Sequence, residues 1–285
     1  MNPKTLLAVV LCFVLLILAW NHGSGYACET NWFKGEGAAF VVGDDRAKAR
    51  DTAVKAAGLA AVSQSLEQWT LDTLLAGFHL NGGASNTIPF VKIETIDILE
   101  ENMTNGSKDG ETTKQPVYTV KAKAAVCQTV SDPEANMKLS LSLDKSVYAD
   151  GEEMRLQIRS SHDCRIAVYI ITEDLGVARL IPSRLKNDNA LRTNEMIVFP
   201  SKDEMAKGIR LRAHVAAEGK STTETIFALA LFQEQMEAGT NMDEAIFGLY
   251  DGQTASLKDL IARVAVIPLK HRSEYFIRYA IRPKS

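Results

Sequence analysis

The sequence predicts an α+β chain in two parts. An N-terminal α+β layer of strand, long helix and hairpin is followed by a mainly β, sandwich-like part with helices near its C-terminus. Three observations predict it. Alanines recur at helical spacing through Ala49, Ala53, Ala56 and Ala60. Polar and apolar residues alternate through "PVYTVKAKAAVC". From Met137 to Phe232 short alternating runs follow one another with turn signals between them. The 285 residues are 46% hydrophobic, enough for two ordinary cores. The formal net charge of −3, with basic residues scattered among acids, gives no bulk attraction to nucleic acid.

The chain opens with Lys4 and the wholly apolar run "LLAVVLCFVLLILAW", Leu6 to Trp20, then small and polar residues ending in "SGYACET". The run is short for a membrane span, which needs about 20 apolar residues. It reads as a secretory signal over residues 1–27, cleaved near Ala27, which places the mature chain in the periplasm or another extracytoplasmic space. Retention as a membrane anchor is one alternative. Lipidation of Cys28 is the other, although "GSGYA" lacks the leucine that usually stands three residues before such a cysteine.

Export decides how the four cysteines are read. Cleavage removes Cys12 and leaves Cys28, Cys127 and Cys164 in an oxidising compartment, enough for one bridge and one spare thiol. Cys28 and Cys127 flank the N-terminal part, just before its first strand and at the end of its last. That placement predicts a disulfide between them.

The first part spans residues 28–130. "NWFKGEGAAFVVG" suggests a strand from near Trp32 to Gly43. Gly35 and Gly37 are not a phosphate loop, because that fingerprint needs a third glycine and a strand ahead of it. Asp44 or Asp45 then caps a long helix. Lys48, Asp51 and Lys55 form its wet face, with Asp51 placed to pair Lys55, and alanines line a buried face that allows close approach to a sheet. The charge cluster at its start is thus a capped helix terminus, with Arg50 as an anion ligand the competing reading. "FHLNGGASNTIP" is a loop. "FVKIETIDILEEN" and "PVYTVKAKAAVC" form a hairpin whose Tyr118, Val120, Ala122 and Ala124 pack the helix.

After the linker "TVSDPEANMK" the second part runs over residues 138–285. "MKLSLSLDKSVYADGEEMRLQIRSS" reads as two runs joined at Asp150-Gly151. A second hairpin turns near Asp174 and Gly176. Strands follow at "EMIVFP", "GIRLRAHVAA" and "ETIFALALF". "NMDEAIFGLYDG" and "ASLKDLIARVAVI" are helical, and "EYFIRYAIRP" is a last strand.

The stretch "GEGAAFVVGDDRAKARDTAVKAAGLAAVSQSLEQ", with "YTVKAKAAV", resembles the N-terminal domain of flagellar assembly protein T and related small envelope lipoproteins. "YADGEEMRLQIRSS" and "LGVARLIPSRLKNDNALRTNEMIVFPS" resemble the domain of unknown function 4384 family over about Leu139 to Phe232. Ile181 and Ser183 depart from that family's aromatic and asparagine. The second resemblance implies a binding or accessory module and supplies no catalytic residue.

The side chains that carry chemistry point the same way. Five histidines are scattered without ligand spacing, so no metal or cofactor is expected, and the charge balance argues for no nucleic acid. "HDC" places His162 and Cys164 on one face of a strand start, a weak hint of a reactive thiol. The expectation is an exported envelope accessory protein that binds envelope proteins and is not an enzyme. A periplasmic sensor for a small ligand such as a glycan fragment is the alternative. The candidate docking element is the last strand, with Tyr275, Ile277 and Tyr279 on one side.

Overall fold

The computed structural model describes residues 29–43, 45–80, 87–108, 111–129, 137–232 and 255–284. The apolar run at Leu6–Trp20, Cys28, Asp44, the "NGGASN" stretch and the "NMDEAIFGLYDG" stretch lie outside them. Among the described residues no helix is long and apolar enough to cross a membrane.

The N-terminal part begins with β1 (Thr30–Phe40), followed by helices α1 (Arg46–Ser65) and α2 (Leu71–Leu80). A long hairpin of β2 (Phe90–Lys108) and β3 (Glu111–Thr129) completes it. The strands form an antiparallel sheet in the order β1-β3-β2. Asp45 caps α1, its carboxylate accepting from the Lys48 amide at 2.9 Å. At the other end Gln128 donates to the Ser65 carbonyl at 2.6 Å, satisfying one of the acceptors a helix terminus leaves open.

The seat of α1 explains the two glycines. A Cβ on Gly35 would lie 2.0 Å from the Ala57 carbonyl oxygen, and one on Gly37 would lie 2.1 Å from that of Ala53. Their absence, with buried Ala53, Ala57, Val120 and Ala122, lets the helix backbone rest on the sheet. The expected alanine face is rotated slightly: Ala49, Ala53, Ala57 and Ala61 are buried, whereas Ala56 and Ala60 lie at its flank, both half-buried. Helix α2 departs from the sequence reading, which has a loop over its last residues. Its first residues are Leu-rich, and Leu74 and Leu75 are buried.

The second part holds β4 (Leu139–Leu143), β5 (Val147–Ala149), β6 (Leu156–Ser160), β7 (Cys164–Ile171), β8 (Gly176–Ile181), β9 (Ala190–Leu191) and β10 (Met196–Phe199). Helix α3 (Lys202–Ala206), β11 (Thr222–Phe232), β12 (Ala255–Ser256), α4 (Leu257–Ala265) and β13 (Arg272–Arg282) follow. A three-stranded sheet, β10-β6-β4, packs against a seven-stranded sheet whose main path is β12-β8-β7-β11-β13-β5, with β9 beside β7. Together they make the mixed α+β, mostly β architecture expected.

Alternation along the seven-stranded sheet serves two cores. Ile226, Ala228 and Ala230 of β11 face the three-stranded sheet, with Ile166 and Val168 of β7. Phe227, Leu229 and Leu231 face the other way, with Ala167, Tyr169 and Ile171. On that second side lie α4, α2 and the C-terminal half of α1, then Val91, Ala124 and Val126 of the N-terminal sheet. One hydrophobic cluster therefore spans both parts of the chain.

Two sequence expectations change in detail. "YADGEE" does not close a simple hairpin: β4 pairs β6, while β5 crosses over to run parallel to β13. "GIRLRAHVAA" forms an irregular strap with one bridge, Glu153 to Arg212, rather than a strand. Leu211 and Ala213 still point inward, so its alternation is real, but its backbone partners are the 151–154 turn. "SKDE" opens α3. Ser201 and Glu204 form a reciprocal capping box, a pattern readable from the sequence.

Candidate functional site

Strand β13 carries the sequence-predicted docking residues and is an interior strand, hydrogen-bonded to β11 on one side and β5 on the other. Tyr279 is buried, its hydroxyl donating to Glu224 of the neighbouring strand and its ring edge-on to Tyr148 at 5.8 Å. Tyr275 and Ile277 are half-buried against the two cores. The alternation that suggests a displayed face is that of a strand buried on both sides. Tyr279 is closed off from a partner, while Tyr275 and Ile277 leave part of their side chains uncovered.

His162 and Cys164 are likewise absorbed. Cys164 is fully buried in the sandwich core, and burial pushes its thiol up to about 11. His162 bonds Ser161 Oγ through Nδ1 at 2.8 Å and stacks edge-on to Phe232. A thiol held neutral in an apolar core is a poor nucleophile.

Arg50, the competing anion ligand, takes its anion from within the chain. Its Nε lies 3.1 and 3.0 Å from the two oxygens of Glu101 on β2, and its Nη2 lies 2.6 Å from Oε1. Tyr118 of β3 donates to the same carboxylate. The hydrogen bond from Arg50, then that from Tyr118, hold Glu101 below the usual carboxylate range. The pair straps α1 to the hairpin. Asp51 and Lys55 stay on the exposed face.

Cys127 is buried near the end of β3 and stands opposite Thr30, two residues after Cys28. Cys28 itself lies outside the described residues.

Among the described residues no element covers the outer face of the β1-β3-β2 sheet, away from α1. Because side chains alternate, the residues that do not face the helix present a continuous pattern there. Across the strands run Trp32, Ala125 and Thr95; Lys34, Lys123 and Asp97; Glu36, Lys121 and Glu100; then Ala38, Thr119 and Asn102. Trp32 is 50% exposed, and the Lys123 ammonium sits 4.4 Å from its ring centroid. Lys123 also pairs Asp97 at 3.1 Å, and Lys121 pairs Glu100 at 3.1 Å. The Glu100 hydrogen bond raises Lys121, and Glu36 adds to it, while Lys121 and Asn102 lower Glu100. Around this row the face dips into a shallow depression lined by Glu36, Ala38, Glu100, Asn102, Thr119 and Lys121. From sequence alone Trp32 marks only the beginning of a strand. The alternation through "NWFKGE" is the available signal for its outward position.

A second polar group is internal. Arg272 and Glu274 of β13 are both fully buried, with Nε 3.2 Å from Oε1. Glu274 accepts from the amides of Thr87 and Ile88 at 3.0 and 3.1 Å. Arg272 donates to the carbonyls of Ile88 and Pro89 and to that of Val264 in the last turn of α4. Burial drives the arginine down and the glutamate up, and each charge opposes the shift in the other. The backbone groups of Thr87–Pro89 bind the other oxygen of Glu274 and the guanidinium end of Arg272, fastening the entry to β2 onto the seven-stranded sheet.

A family model described as Domain of unknown function (DUF4384) matches residues 147–232, from β5 to the end of β11. No curated protein matches the chain.

Proposed function

We propose that this chain is an exported protein of the bacterial cell envelope that acts by binding other envelope proteins, without turnover, through the outer face of the β1-β3-β2 sheet. One observation carries the reading: a half-exposed tryptophan under a lysine ammonium, set among cross-strand ion pairs. An aromatic anchor inside a polar surround is the composition of protein interfaces. The apolar Leu6–Trp20 run supports export, and the bridge proposed between Cys28 and Cys127 would form in the oxidising compartment it leads to. The envelope is also what the resemblance read in the sequence of the N-terminal part, to flagellar assembly protein T and small envelope lipoproteins, would imply. Burial of the Cys164 thiol favours binding over thiol catalysis.

Crosslinking in cells tests the reading and is expected to join the chain to envelope proteins. The purified protein is expected to leave generic ester, peptide and glycan substrates unchanged. A hydrolytic rate that disappeared in Cys164→Ala or His162→Ala would overturn it. Saturable binding of a glycan fragment in the absence of any protein partner would favour the sensor instead.

A further inference from the structure

We infer that the protein partner of this face binds by strand addition: an extended segment of it pairs antiparallel with the open edge of β1 and extends the β1-β3-β2 sheet. The inference rests on the reading of the outer face given above and names how that face is engaged. Among the described residues the ladder partner of β1 is β3, so β1 is an edge. The two edges of the sheet differ. Strand β2 meets β3 with register shifts at Ile93/Thr95, Ile98/Glu100 and Asn105/Ser107, and such bulges turn an edge away from further pairing. Strand β1 pairs residue for residue from Thr30 to Phe40, without a shift and without a proline. An incoming strand can therefore lie flat along it.

The direction of the free backbone groups follows from the ladder. Val41 donates to the Pro116 carbonyl at 2.9 Å, so Val41 and every second residue before it bond toward β3. The amides and carbonyls of Trp32, Lys34, Glu36 and Ala38 then point to the open edge. These are the residues whose side chains stand on the outer face, so a strand added there continues the surface that carries Trp32.

Helix α1 decides what that strand can carry. It runs antiparallel along β1, with Ala57 and Ala61 over Gly35 and with Ala53 and Ala57 over Gly37. Arg50 and Gly58 look toward β2, so helical rotation puts Thr52, Ala56, Ala60 and Ser63 on the side of the open edge. A Cβ on Gly37 would lie 2.9 Å from that of Ala56, which shows how low this flank hangs. A strand about 4.8 Å beyond β1 lies beneath it. A partner that brought its own helix on that side would collide with α1, whereas a bare segment fits if its side chains opposite Gly35 and Gly37 are glycine, alanine or serine. Charge sets the outward positions. Lys34 is exposed beside Lys123 of its own sheet, so an acid opposite it relieves a like-charge contact, and Glu36 takes a base. Along the partner the recognised order is small, basic, small, acidic.

The probe is a fluorescein-labelled synthetic peptide of the length of β1, with Ser-Lys-Ser-Glu at its centre and threonine elsewhere, titrated with the purified protein. Its anisotropy is expected to saturate. Leucine in place of both serines should abolish binding, because it runs into Ala56 and Ala60. Lys34→Glu should weaken binding roughly tenfold, and a peptide ending its core in lysine instead of glutamate should recover it. Ala38→Pro removes a donor at the open edge and no bond to β3, so it should leave circular dichroism unchanged and abolish binding. A peptide that does not saturate, one that binds equally well with leucines, or binding indifferent to Lys34→Glu would overturn the inference. In cells, crosslinks from the outer face that persist in Ala38→Pro would overturn strand addition and leave that face as the binding surface. Absence of crosslinks from the wild-type face would remove both.

Discussion

Gly37 and Gly58 lie on either side of one packing contact and should respond to alanine in different ways. At Gly37 the new Cβ meets a backbone carbonyl at 2.1 Å, which no rotamer relieves, so Gly37→Ala should cost about 3 kcal/mol in urea unfolding. At Gly58 the nearest atoms are side-chain ends of Ile96 and Ile93 at 3.1 and 3.3 Å. The gain of about 1 kcal/mol from replacing a mid-helix glycine should offset their shift, leaving Gly58→Ala within about 1 kcal/mol of wild type. Cys164 gives a second residue-scale prediction. Its thiol should resist alkylation at pH 8 in the native protein and react on denaturation, with intact mass as the readout. Since folding raises this thiol to about 11, the unfolded chain loses its proton first. Stability should therefore fall as pH rises from the ordinary thiol range toward 11, and Cys164→Ala should abolish that part of the slope. Glu101 has the opposite sign. Its folded value is depressed, so its contribution is present above the unfolded carboxylate value and lost as acid protonates it. Glu101→Gln should flatten the acid limb of a melting profile.

Elements differ in how far the sequence reveals them. Helix α1 is legible because its cap, its alanine period and the two glycines beneath it all demand the same close packing. Helix α2 is hidden by the Gly- and Asn-rich stretch after it, which makes its last residues read as part of a loop. In β13 the period is legible and its meaning is not. Alternation locates a strand, but whether the second side meets solvent depends on α2 and α4, which arrive from distant parts of the chain. The strap at residues 209–215 shows the reverse, an alternating run whose backbone partners are a turn. The Arg272–Glu274 pair has no local signature, since its partners Thr87–Pro89 are about 185 residues away. At this scale the proposed Cys28–Cys127 bridge would hold the start of β1 to the end of β3. Intact mass after alkylation without reductant should show both cysteines protected. Closing a loop on the order of 100 residues contributes roughly 4.7 kcal/mol in the chain-entropy view, less any strain. Two alkylated thiols would contradict the bridge.

For the whole molecule, the shared core and the Arg272–Glu274 fastening make the N-terminal layer and the sandwich mechanically continuous. Arg272→Leu leaves Glu274 buried without its counter-charge and should cost about 3–5 kcal/mol. Because the lost contacts reach Thr87–Pro89, the loss should appear in both parts of the chain, measurable as reduced hydrogen-exchange protection in β2 as well as β13. Such a body presents the outer face of the β1-β3-β2 sheet on a firm support, which favours recognition by a preformed surface. The most direct measurement places a photo-crosslinking residue at Glu100, on the strand of that face remote from β1, and a control at exposed Leu185 on the sandwich. Irradiation of cells expressing each variant should yield a discrete adduct with another envelope protein from position 100 and none from position 185. Equal adducts from both positions, or none from position 100, would contradict the assignment of this face as the binding surface.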